Sequence, residues 1–229
     1  MNRTTASTGR NELWLLVGLV VLVWFLWDSW LIYPLKLLVV FFHELSHGLA
    51  ALVTGGSIER IEMVAREGGL CVTRGGGRFL ILSAGYLGSL FWGGVILMLA
   101  ARSGLDQAVQ LLLGFILLFS TLVWVRPLLS FGFGFAALAA FGLIAAGLFL
   151  NGFLNDLILK LIGLTSILYA PLYILSDVLT RGDSVPSDAS QLARMTGVPT
   201  LVWGSLWMLV ALVSAIWFLW SAVGSGRTR

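Results

Sequence analysis

The chain has 229 residues, of which 59% are hydrophobic, 12% aromatic and only 11% charged, where a soluble domain carries about a quarter charged residues. Its mean hydropathy of +0.97, with 14 Lys and Arg spread against 11 Asp and Glu, excludes a disordered tail, a disulfide-rich secreted domain and a nucleic-acid module. What remains is an all-α polytopic membrane protein, read as a single membrane-embedded domain over residues 1–229 with about six or seven transmembrane helices and one small β-hairpin.

A bilayer-crossing helix needs about 20 mainly apolar residues. After a polar tail over residues 1–12, Leu13 to Trp27 is short for a span; no small-residue cleavage site follows Trp24-Phe25-Leu26-Trp27, so it reads as an anchor. Leu31 to Thr54 is the second run, interrupted by Lys36 and by His43, Glu44 and His47. Residues 57–78 then predict a hairpin near the membrane surface: strand-like Ile58 to Ala65 and Leu70 to Thr73 are parted by Glu67-Gly68-Gly69 and closed by Gly75-Gly76-Gly77. Phe79 to Ala101, Gln107 to Val125, Pro127 to Leu150 and Leu157 to Ser176 follow as spans. In the polar loop 180–198, Ser187 or Asp188 caps a short helix, Asp188 with Gln191 as a capping-box pair, and Gly197 stops it before Pro199 opens the last span, which runs to Ala222.

With the amino terminus inside, nine of the 14 basic residues fall in cytoplasmic segments, and Lys36, Arg102, Lys160, Arg227 and Arg229 mark the other face. This places the carboxy-terminal ends of spans two and six together on the cytoplasmic side. Small residues four apart on span three, Ala84 with Gly88, Gly85 with Ser89 and Ser89 with Gly93, predict close helix packing.

Chemistry concentrates at His43-Glu44-Leu45-Ser46-His47. Positions i and i+4 share a helix face, so both imidazoles can reach one Zn2+, with Glu44 beside them to activate a water on the metal. Three ionisable residues within five positions of a span are costly, about 2.5 to 3.5 kcal/mol each on insertion scales, unless a metal, water or partners compensate. A catalytic zinc takes three protein ligands, and these are the only two histidines. The sole cysteine, Cys71, cannot build a thiolate cluster. Among the acids, position leaves Asp177, Asp183 and Asp188; Asp177, ending a hydrophobic span, is best placed, while Asp188 reads as a helix cap.

These residues resemble the site-2 protease family of intramembrane zinc metallopeptidases, in its compact bacterial and plant branch without a PDZ domain. The resemblance rests on Phe42-His43-Glu44-Leu45-Ser46-His47, Gly55-Gly56, Glu67-Gly68-Gly69, Thr73-Arg74-Gly75-Gly76, Ala84-Gly85-Tyr86-Leu87-Gly88 and Phe91-Trp92-Gly93, with a second block from Ser187-Asp188-Ala189 to Trp203-Gly204. It implies hydrolysis of peptide bonds in membrane-associated proteins or peptides, with His43 and His47 as zinc ligands, Glu44 as general base and an aspartate from a later helix as third ligand. Together with the placement of the basic residues, it predicts an integral protein of a bacterial cytoplasmic membrane with its amino terminus and active site toward the cytoplasm. The sequence departs from the family where relatives read Tyr-Asp-Ile-x-Asp-Asp: here Leu172-Tyr173-Ile174-Leu175-Ser176-Asp177 keeps only the last acid. That departure admits a second reading, a non-proteolytic membrane protein whose metal site serves stability or partner binding. A transporter would spread polar groups over several spans around a midplane site, whereas the ionisable cluster here lies in one.

Overall fold

The computed structural model describes residues 3–176 and 187–223. In chain order the elements are α1 (Arg3–Phe25), α2 (Tyr33–Val53), β1 (Ser57–Val64), β2 (Gly68–Arg74), α3 (Arg78–Arg102), α4 (Asp106–Trp124), α5 (Phe131–Phe149), α6 (Gly152–Ser176), α7 (Asp188–Thr196) and α8 (Thr200–Val223). Among the described residues six helices, α2 to α6 and α8, are long and apolar enough to cross a membrane, and the chain is an integral membrane protein. The apolar part of α1, Asn11–Phe25, is shorter, in keeping with the short first run in the sequence. The stretch expected as a polar tail continues that helix back to Arg3.

Two apolar cores organise the bundle. One joins α2 to the hairpin, α4 and α5 through Phe41, Phe42, Ile61, Leu117 and Ala136; the other joins α1, α3, α6 and α8 through Leu16, Leu97, Leu164 and Ala211. The expected small-residue packing is present. A Cβ at Gly93 would lie 2.8 Å from the Gly163 carbonyl, and one at Gly163 would lie 2.9 Å from the Gly93 carbonyl, so α3 and α6 touch backbone to backbone.

The hairpin is antiparallel, Ile61 facing Cys71 and Met63 facing Gly69, with an irregularity between Ile58 and Arg60. It does not rest at the surface. It runs back along α2: a Cβ on Gly48 would strike Ile58, Gly69 lies against Glu44, and Glu67 at the tip reaches Lys36 at 2.7 Å. An open sheet edge cannot face lipid, and both edges are accommodated. The outer edge of β1 bridges Val125, with the Arg126 N–H donating to the Ile61 carbonyl at 3.0 Å, while β2 lines a cavity.

Two expectations about charge change. Lys36 and Lys160 do not mark an outer face; their side chains are 7% and 2% exposed and both form ion pairs inside the bundle. Regular alternation of seven spans would make α1 antiparallel to α6. Instead Glu12 pairs with Lys160 at 2.5 Å and Trp27 meets Tyr169 at 6.4 Å between ring centroids, so the two helices run in the same sense. The buried Lys160 ammonium needs carboxylates, and Glu12, at the start of the short apolar stretch of α1, supplies one.

Candidate active site

The helix α2 carries the histidine pair as its sequence spacing requires, the His43 and His47 ring centroids lying 4.8 Å apart. The Nδ1 of His47 is 2.6 Å from the Ile81 carbonyl of α3. A proton on Nδ1 satisfies that contact, so Nε2 is the nitrogen turned toward a ligand. Tyr86 packs edge-on to His43 at 4.8 Å and rests in turn on Trp207.

The carboxylate that meets both imidazoles is Asp188. Its Oδ2 lies 3.1 Å from His43 Nε2 and 3.3 Å from His47 Nε2. Asp177, the expected third ligand, and Asp183 fall outside the described residues. Asp188 is not the helix cap: Ser187 caps α7, in a reciprocal capping box with Ser190 rather than a pair between Asp188 and Gln191. Asp188, one position later, is thereby free to turn its side chain toward α2. Burial alone would push its carboxyl up, but the two imidazoles, His47 foremost, hold it well below the usual carboxylate range.

These three donors fit a zinc ion. Zn–N and Zn–O bonds of about 2.0 to 2.1 Å in a tetrahedron separate neighbouring donors by about 3.3 Å; the two edges to Asp188 match, and all three donor atoms lie within 4.8 Å of one another. Asp188 Oδ2 is buried and has no aligned hydrogen-bond partner despite its two close nitrogens, an arrangement expected of atoms that converge on a cation. Two imidazoles and one carboxylate form an ordinary catalytic zinc set with a fourth position left for water or substrate.

Gly85, read from sequence only as a packing residue, also shapes this site. A Cβ there would lie 2.5 Å from His43 Nε2 and 2.6 Å from Asp188 Oδ2. Glu44 is 6% exposed and borders a cavity of about 740 Å³ together with both histidines, Asp188, β2 and the tyrosines Tyr86, Tyr169 and Tyr173. Tyr173 stacks on Tyr169 and donates to Glu67 at 2.6 Å.

A family model described as Peptidase M50B-like matches residues 15–218, a span that takes in both histidines, Glu44, the hairpin and Asp188. No curated protein and no solved structure matches the chain.

Proposed function

The chain belongs to the Peptidase M50B-like family, a family of metallopeptidases, and from that premise we propose that it is an intramembrane zinc protease acting on membrane-associated substrates. The observation that carries this reading is the convergence of His43, His47 and Asp188 beside Glu44 on a cavity inside an apolar helix bundle. Those three residues would hold the metal. A bound zinc ion would polarise the scissile carbonyl and acidify water at neutral pH.

The chain's own residues supply the rest. Glu44 takes the proton of the attacking water and returns it to the leaving amine. The Nδ1 contact of His47 with the Ile81 carbonyl keeps that imidazole in its ligating tautomer. A peptide bond inside a helix is shielded, so the substrate has to be held extended. The outer edge of β2 borders the cavity while β1 is covered by the α4–α5 junction, which favours strand addition along β2 with backbone hydrogen bonds giving affinity. Asp188 also answers the departure at Tyr173 and Ser176: the carboxylate comes from α7, so the altered acidic pattern does not leave the histidines short of a partner.

The test is Glu44→Gln in the purified full-length protein. Zinc content should match the wild type while cleavage of a labelled unfolded chain, β-casein in detergent micelles, is lost. Undiminished cleavage by that variant would remove Glu44 as general base. Zinc bound stoichiometrically by a wild type that cleaves nothing would favour the non-proteolytic reading.

A further inference from the structure

Beyond the metal and the base stands the question of what holds the base. The Glu44 carboxylate faces the backbone N–H of Cys71, in the middle of β2. Two residues earlier, Gly69 lies flat against the same side chain: a Cβ there would come within 2.5 Å of Glu44 Cγ and Oε1 and 2.8 Å of Cδ. The strand itself is fixed. Ile61, opposite Cys71, is fully buried and bridges Val125; a Cβ on Gly132 at the start of α5 would press on the Met63 backbone, and Met63 faces Gly69. At the tip, Glu67 is bound to both Lys36 and Tyr173.

We infer that β2 is the positioning element of the general base, its Cys71 N–H orienting the Glu44 carboxylate and Gly69 supplying, by lacking a side chain, the space in which it sits. This rests on the proteolytic reading and deepens it. Cys71 is paired across the hairpin with Ile61, whose own carbonyl turns outward to the Arg126 N–H, so this is a pair that exchanges no hydrogen bonds and the Cys71 N–H points to the outer edge of β2, the edge available to a substrate strand. A substrate paired along the remaining edge groups therefore meets the base at a register set by backbone, independent of its side chains. Gly69 and the Cys71 N–H act through Glu44 and need not touch the reacting atoms.

Gly69→Ala is a selective probe, because its clash falls on the flexible end of Glu44 and not on backbone. Chain geometry makes a second readout unusually clean: Cys71 is the only cysteine, so selective 15N-cysteine labelling of the full-length protein in micelles gives one amide signal. Loss of a charge-assisted hydrogen bond moves such a signal upfield. We expect that shift in Glu44→Ala and in Gly69→Ala, together with a fall in kcat for β-casein of roughly 10- to 100-fold in Gly69→Ala, as a misplaced catalytic group gives, at unchanged KM and zinc content. In a Glu44→Asp background, where the shorter side chain leaves room, Gly69→Ala should cost little further. An amide signal unmoved by Glu44→Ala, a Gly69→Ala defect confined to KM, or an equal loss in both backgrounds would overturn the inference. Failure of the proteolytic reading is distinct, since it shows as cleavage retained by Glu44→Gln or absent from the wild type, and the amide shift is read without any substrate.

Discussion

Tyr173 of α6 donates a 2.6 Å hydrogen bond to Glu67 at the hairpin tip, and the other Glu67 oxygen takes the Lys36 ammonium at 2.7 Å. With Tyr33 donating to the Ala65 carbonyl at 2.6 Å, the far end of the hairpin is tied to α2 and α6. Glu67→Ala strips the mostly buried Lys36 of its carboxylate. Breaking a buried pair costs about 3 to 5 kcal/mol; Glu67 keeps 20% of its side chain exposed, which places the expected loss near the lower end, about 3 kcal/mol. Thermal unfolding in detergent measures it, and a Glu67→Ala protein as stable as the wild type would dismiss the tie.

Asp188 and Asp177 can be compared directly as zinc ligands. Asp188→Asn should lose stoichiometric zinc from protein purified without chelators, since removing one of three donors leaves two imidazoles. Asp177→Asn should keep it. The reverse pattern would return the third ligand to the end of α6 and leave Asp188 as a partner of the imidazoles only. Metal analysis of the two variants beside the wild type settles the matter.

Gly85→Ala tests the shape of the site without removing a donor. The added methyl would occupy space held by His43 Nε2 and Asp188 Oδ2, so the donors must splay. Zinc affinity should fall roughly 10- to 100-fold, the range seen when groups that orient metal ligands are altered, with the fold retained by circular dichroism. Unchanged affinity in a competition titration with a zinc chelator would show that the site can relax around the methyl.

Much of this was legible in the sequence because membrane helices declare themselves by hydropathy and because His43 and His47 sit one turn apart on a single helix, where spacing alone fixes geometry. The resemblance to the site-2 protease family is borne out by the family match over residues 15–218. Features that depend on distant partners were not legible. Asp188 carries a local signal for capping, and the choice of Ser187 as the actual cap turns on which of two adjacent residues adopts extended backbone, something that packing of α7 decides. Lys160 reads as a boundary charge until Glu12, 148 positions away in the chain, is seen beside it. The hairpin was visible from Glu67-Gly68-Gly69, but its course along α2 follows from Gly48 and Gly69 together, whose missing side chains mean nothing singly.

The Cys71 thiol gives a prediction on reactivity. Burial pushes it up to about 12, the Glu44 carboxylate adding to the effect. Against an ordinary thiol near 8.5, the thiolate fraction at pH 8 drops by about three decades or more, and the higher nucleophilicity of a more basic thiolate returns about one and a half. Alkylation of the folded protein by iodoacetamide at pH 8 should therefore run roughly 100-fold slower than after unfolding in detergent. The sign is fixed: raising the pH should accelerate the reaction well beyond pH 9, where an ordinary thiol has levelled off. A rate already flat by pH 9 would place Cys71 in a solvated environment and weaken the account of β2 as a strand packed against Glu44.

Lys160 lies among apolar neighbours on α6 with Asp156 at 3.0 Å and Glu12 at 2.5 Å, lysine and aspartate both 2% exposed. The contact between Glu12 and Lys160 is the ion pair between α1 and α6 among the described residues, and it lies on the stretch of α6 that precedes the site. Removing the ammonium alone, as in Lys160→Ala, takes from two carboxylates the buried cation they share, at a cost of about 3 to 5 kcal/mol. Replacing all three by uncharged groups of similar shape, Glu12→Gln with Asp156→Asn and Lys160→Met, takes out the charges together and should recover most of that loss, because desolvating an ion pair consumes much of what its attraction returns. Unfolding of the single and triple variants in the same detergent measures both. A triple variant as unstable as Lys160→Ala would mean that the charges hold α1 in place by more than mutual compensation.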